Sequence, residues 1–220
     1  EWHSVKASQF RSFFKHLSIN TKLKSPEHDV ENAILEEFRK RKGAYKVLCN
    51  VRPVLLHGCF FQMPTPIKAS SHNPTYAEHY GGGIDMMARI KTSEQGHIRL
   101  CVIEIKDENK VSESQKIAMS QAVSYATFIV KLLSTQPDWM EFFMGHKTLR
   151  NRISRSLDTF DIDVVTIMPE GDTEMFQNEI LEIPGTQFKL HCHSLFYNQQ
   201  KFLENRVLEF TGTLLKEIRI

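Results

Sequence analysis

The sequence predicts an α/β fold in which helices cover a mixed central sheet, and three observations carry that expectation. Two apolar runs, Ile84 to Ile90 and Ile98 to Ile105, flank a polar turn over Thr92 to Gly96, which is the pattern of a two-stranded hairpin. The segment from Ser114 to Leu133 follows, with Ile117, Val123, Ala126, Phe128, Ile129 and Leu132 giving a helix a broad apolar surface that should cover one face of a sheet. Ile162 to Met168 is then a continuous apolar run closed by Pro169, as a strand buried on both faces reads.

The remaining elements follow in chain order. Val5, Phe10, Phe13, Phe14 and Leu17 space a short amphipathic helix over Trp2 to Leu17, and the polar stretch from Asn20 to Glu27 reads as a loop. A second helix begins with Asp29 as N-cap and carries a stripe of Val30, Ala33, Ile34 and Phe38. It stops at Gly43, after Arg39-Lys40-Arg41-Lys42 has placed cations at the negative end of the helix dipole. Tyr45 to Leu56 reads as a strand region interrupted by Pro53. His57 to Tyr80, with Pro64, Pro66 and Pro74, reads as a long irregular excursion, and loops of that length in a compact domain are often functional. Gly81-Gly82-Gly83 opens the first hairpin strand. After the central helix, Asp138 to Leu157 reads as helical with a basic end, Glu174 to Glu182 as a short helix, Phe188 to Phe196 as an alternating strand, and Phe202 to Ile218 as a closing helix. The chain thus divides into an N-terminal helix and linker (1–28), a core (29–170) and a C-terminal strand and helix extension packed on the core (171–220).

A chain of 220 residues forms one large domain or one with a small annex. With 41% hydrophobic and 25% charged residues it can build a packed core, which excludes wholesale disorder. The balance of 28 Lys+Arg against 26 Asp+Glu excludes a strongly basic, indiscriminate nucleic-acid binder, though positive charge gathered locally around an acidic centre would be hidden in that total. Cys49, Cys59, Cys101 and Cys192 lie far apart with no C-x-x-C pair, which argues against a zinc cage and for a reducing, cytoplasmic compartment. Cys49, Cys101 and Cys192 lie in apolar runs and read as buried thiols. His191 and His193 share a strand face around Cys192 but have no evident third ligand, and read as structural or surface residues. No apolar run approaches the roughly 18 residues of a membrane span, and no charged-then-apolar leader opens the chain, so no membrane partner is expected.

The chemistry concentrates in Gly83-Ile84-Asp85 and Ile103-Glu104-Ile105-Lys106. Side chains alternate along a strand, so Glu104 and Lys106 share a face while Ile103 and Ile105 point into a core. Antiparallel pairing about a turn near Ser93 to Glu94 puts Asp85 opposite roughly residue 103, so two carboxylates meet at one end of the hairpin. Two carboxylates with the Ile105 carbonyl suit a hard cation such as Mg²⁺, or Mn²⁺, which keeps several waters and eases deprotonation of one of them. The competing reading is a salt-bridged strand end, which Glu-x-Lys alone would favour.

These residues resemble the PD-(D/E)XK nuclease superfamily, whose core is a helix, a three-stranded meander, a covering helix and a further strand. The resemblance covers Asp29 to about Met168, with Ile84 where the family's name has proline. Gln121-Ala122-Val123-Ser124-Tyr125 is similar to the Gln-x-x-x-Tyr motif of the RecB-like exonuclease branch, whose helix borders the active site. The resemblance implies a restriction-endonuclease-like fold and a Mg²⁺- or Mn²⁺-dependent phosphodiesterase acting on DNA. In it Asp85, Glu104 and the Ile105 carbonyl hold the metal with help from Glu31 (Glu36 and Glu37 being the alternatives). Lys106 activates water, and Gln121 and Tyr125 position the substrate or the lysine. Arg39, Lys40, Arg41 and Lys42, with Lys46 and Arg52, and separately Arg150, Arg152 and Arg155, are the cations for nucleic-acid contact, or equally solvated helix ends. The alternative function is a catalytically inactive nuclease-fold module for binding or assembly. A metal-independent enzyme using His57 or His79 has little support, because no Ser or Cys nucleophile has a partner in sequence.

Overall fold

The computed structural model describes residues 29–39, 48, 50–56, 60–69, 74–77, 81–91, 98–106, 114–136, 138–144, 161–171 and 179–212. The expected N-terminal helix, the turn over 92–96, Lys40 to Lys42, Gly43, Lys46, Cys49, His57, Cys59, His79, Arg150, Arg152 and Arg155 lie outside the described residues.

The order is α1 (Asp29–Arg39), β1 (Val51–Pro53), β2 (Met63–Thr65), β3 (Ile67–Lys68), β4 (Thr75–Tyr76), β5 (Gly82–Ile84), β6 (Met86–Lys91), β7 (Ile98–Ile105), α2 (Gln115–Thr135), α3 (Asp138–Met144), β8 (Asp161–Pro169), β9 (Glu179–Glu182), β10 (Lys189–Tyr197), α4 (Gln199–Asn205) and β11 (Phe210–Gly212). A mixed seven-stranded sheet runs β1-β6-β7-β8-β10-β11, with β9 also paired to β10. β6 and β7 are antiparallel; β7, β8 and β10 are parallel. The parallel step from β7 to β8 needs a long crossover, and α2 and α3 lie within it. The protein is therefore of the α/β class, as the element pattern predicts.

Strand alternation sorts the core into two layers. Leu100, Val102, Ile162, Val164, Leu190 and Cys192 face α2 and α3. Cys101, Ile103, Val165, Ile167, Leu195 and Tyr197 face the other way, with Val30 and Ile34 of α1 and Phe202 of α4. α2 begins at the N-cap Ser114, whose side chain accepts from the Ile117 N–H. By length and composition α2 is also apolar enough to cross a membrane. Here that apolarity is spent on the sheet: Ala118, Ala122, Ile129 and Leu133 of α2 are buried. α3 packs Trp139, Phe142 and Phe143 edge-on or stacked, with centroids 5.1–5.7 Å apart. The Arg89 guanidinium from β6 donates to the last carbonyl of α3, Met144 O, at 3.0 Å.

Six expectations change. The hairpin strand is not continuous from Ile84 to Ile90: it breaks at Asp85, and β5 leaves the sheet to pair with β2. The proline-rich excursion holds β2, which pairs with β5 beyond it, and the ribbon β3/β4, strands of two or three residues that are too short to show a period. Pro53 ends β1 instead of interrupting a longer strand, and β1 is an edge strand, where a missing N–H is tolerated. Glu179–Glu182 of the expected short helix is the strand β9, because the free edge of β10 offers its backbone a partner. The helix expected over Phe202 to Ile218 is interrupted: α4 is started by the Asn198 cap and ended at Arg206, whose left-handed φ of 57° turns the chain back into β11, and residues 213–218 lie outside the described residues. Asp29 is the first residue of α1 and not its cap, and pairs there with Arg206. The residues after 170 thus supply β9, β10, α4 and β11, and these strands are hydrogen-bonded within the one sheet.

Candidate active site

The site grows from the end of β7. Alternation turns Glu104 towards the α2 face, in line with Leu100 and Val102, and it is buried there. Lys106 lies one residue past the strand and is 4% exposed. Its backbone is held on both sides: the N–H donates to Ile167 O at 2.7 Å, and the carbonyl accepts the Tyr197 hydroxyl at 3.2 Å. Its Nζ donates to Glu104 Oε1 at 3.1 Å and to Gln121 Oε1 at 2.6 Å. A buried ammonium is tolerated because a carboxylate and an amide oxygen replace its water.

Gln121 and Tyr125 lie four apart on α2 and so on one helix face, and both are buried. Gln121 Nε2 donates to the Tyr125 hydroxyl at 3.4 Å, so the two halves of one amide join the lysine to the phenol. Burial, foremost, pushes the Tyr125 hydroxyl up to about 12; the Gln121 hydrogen bond lowers it, Glu104 and Asp85 raise it, and Lys106 lowers it. One phenol therefore feels both carboxylates and the ammonium.

Asp85 sits in the bend between β5 and β6, and its Oδ2 accepts the Ile105 N–H at 2.8 Å. The register pairs Met86 with Ile103, so one step further Asp85 stands opposite Glu104, one residue from the expected position. The β2/β5 register, continued by one residue, likewise sets Gln62 opposite Asp85. Gln62 Nε2 reaches Glu31 Oε2 at 3.5 Å, which ties the first turn of α1 to this ribbon. Glu36 is exposed and Glu37 half-buried on α1.

Two glycines belong to the site, although the triplet reads in sequence as a strand opening. A Cβ on Gly82 would lie 2.6 Å from the Tyr125 hydroxyl and 3.1 Å from Ile67 O. One on Gly81 would fall 2.4 Å from the Ile67 carbonyl carbon. The run of three glycines was the available signal; its cause is the close approach of β3 and Tyr125.

The donors at this place are two carboxylates and the Ile105 carbonyl, hard oxygens that suit Mg²⁺ or Mn²⁺ and leave coordination positions to water. Among the described residues, no group of three or more His, Cys, Asp or Glu is spaced to hold a metal. Of the basic groups, Arg39 ends α1, and Arg52 is exposed on the edge strand β1, one of its nitrogens donating to Val51 O at 2.7 Å.

The two histidines of β10 do share a face, on the layer opposite Glu104, and β8 supplies partners that sequence spacing does not reveal. His191 Nε2 lies 3.1 Å from Asp161 Oδ2 and His193 Nε2 3.2 Å from Asp163 Oδ1. Arg99 of β7 bridges both aspartates at 3.5 and 3.6 Å. Cys101 and Cys192 are buried and free.

Compared with known proteins, the chain matches no family model, no curated protein and no solved structure.

Proposed function

We propose that the protein is a cytoplasmic, metal-dependent nuclease of restriction-endonuclease-like fold that hydrolyses phosphodiester bonds of DNA. The observation that carries this reading is the gathering of Asp85, Glu104, Lys106, Gln121 and Tyr125 at the exit of β7, a buried lysine between a carboxylate and an amide beside a second carboxylate. Mg²⁺ or Mn²⁺ held by Asp85, Glu104 and the Ile105 carbonyl, with Glu31 assisting, would neutralise phosphate charge and make a bound water more acidic. Lys106 orients the attacking water and stabilises the negative charge that develops on the phosphate oxygens. The water oxygen bonds to phosphorus, the bond to the leaving oxygen breaks, and the water's proton passes to the medium as the leaving oxygen takes one up. Gln121 and Tyr125 hold Lys106 in place, and Arg39 and the basic groups beyond it contact the phosphate backbone.

The test is hydrolysis of linear, circular and single-stranded DNA with Mg²⁺ or Mn²⁺. Wild type should cut, and Asp85→Ala, Glu104→Ala and Lys106→Ala should each lose about 100-fold or more in rate. Activity that survives Asp85→Ala and Lys106→Ala overturns the assignment.

The second reading, an inactive module for binding or assembly, has its own observation: Glu104 Oε1 is paired internally with Lys106, as in a structural ion pair. Calorimetry with Mn²⁺ separates the two. Heat for wild type but not Glu104→Ala supports the enzyme, and no heat for wild type supports the module.

A further inference from the structure

We propose that Tyr197 is a positioning residue for Lys106, so that the strand β10 takes part in the site; this rests on the nuclease reading. Lys106 lies beyond the end of β7, where pairing with β6 has stopped. A lysine there has its side chain aimed only as well as its own backbone is held. Its N–H is held by Ile167 O on β8, and its carbonyl by the Tyr197 hydroxyl, which crosses from β10 on the far side of β8.

Tyr197 is fully buried. Its ring belongs to the layer of Ile167, Leu195 and Phe202, with the Phe202 ring edge-on at 5.9 Å. Phenylalanine would keep these ring contacts. The hydroxyl donates to the Lys106 carbonyl at 3.2 Å. The Lys106 side chain emerges on the opposite layer, among Glu104, Gln121 and Tyr125. Two tyrosines therefore serve one lysine from the two faces of the sheet: Tyr125 supports the amide that binds Nζ, and Tyr197 pins the peptide from which the side chain departs. Displacements well under an ångström at a reacting group cost rate without costing binding, because they spoil approach geometry and leave substrate contacts intact.

The experiment is Tyr197→Phe, read by DNA hydrolysis with Mg²⁺ and by amide hydrogen exchange at Lys106. In an active enzyme kcat should fall about tenfold with KM unchanged, while exchange rises at Lys106 and stays level along Lys189 to Leu195. Unchanged kcat, or a rise in exchange spread across β10, overturns the proposal, the latter because it marks a general loss of packing. Wild type without metal-dependent hydrolysis would sink the nuclease reading itself. The hydroxyl's hold on Lys106 is then judged by exchange alone: a local rise supports it and no change overturns it.

Discussion

The carboxylate of Asp85 accepts the backbone N–H of Ile105 at 2.8 Å, at the point where β5 turns out of the sheet. A side-chain oxygen thus satisfies a donor that faces away from β8, and the same contact draws Asp85 beside Glu104.

Asp85→Asn keeps an oxygen for that N–H and removes the charge. Its stability should stay within about 1 kcal/mol of wild type, while Asp85→Ala should lose about 1.5–3 kcal/mol, the range for a hydrogen bond to a charged group. Urea unfolding measures both. DNA hydrolysis should be lost in each variant; an Asn variant that still cuts would assign Asp85 to structure.

Gly82→Ala should destabilise the fold by about 1–3 kcal/mol, since its methyl would press on the Tyr125 hydroxyl and on Ile67 O. Tyr125→Phe removes the nearer obstacle. The double variant should therefore be less destabilised than the sum of the singles, by about 0.5–2 kcal/mol in a denaturant double-mutant cycle. Strict additivity would mean that the strand shifts and the tyrosine does not.

Lys106→Met leaves the buried Glu104 without its cation and should cost about 3–5 kcal/mol. Joined to Glu104→Gln it should recover to wild-type stability or exceed it, with no hydrolysis. Recovery would show that this ion pair is not kept for stability. A double variant as unstable as the single would show instead that the pair is a structural necessity.

Buried acids, Cys192 and Tyr125 among them, make stability fall in alkali. Burial foremost, then Glu179 and Asp163, pushes the Cys192 thiol from its ordinary 9.0 up to about 12, and Tyr125 rises from 10.0 to about 12. Each binds its proton more tightly folded than unfolded, so its contribution is complete below pH 9 and is lost as pH climbs from there towards 12. Urea midpoints should decline over that window, and less steeply in Cys192→Ala and in Tyr125→Phe. An equal slope in the variants would remove these groups as the cause. Cys192 should also resist thiol reagents at neutral pH until the chain unfolds.

Much of the site is legible without coordinates, because its residues obey local periods. Glu104 shares a strand face with Val102, and Gln121 shares a helix face with Tyr125, by backbone geometry alone. The pairing of Asp85 with Glu104 needs only a short turn and is read to within one residue. Where local pattern competes with pairing, the reading fails. Glu179–Glu182 and Phe210–Gly212 lie in stretches that read as helical, yet each is a strand, because the edge of β10 supplies hydrogen bonds that a short exposed helix would have to make to itself.

By itself, then, the sequence determines the α/β class, the two faces of β7 and the residues on them, since these follow from repeats of two and of about 3.6 residues. Tertiary structure decides that β5 leaves the sheet at Asp85, that Gly82 must lack a side chain for Tyr125 to fit, that Asp161 and Asp163 answer the β10 histidines, and that Tyr197 reaches the Lys106 carbonyl 91 residues away. Each of these joins groups distant in the chain, and such contacts depend on strand order and register, which no local pattern of residues encodes.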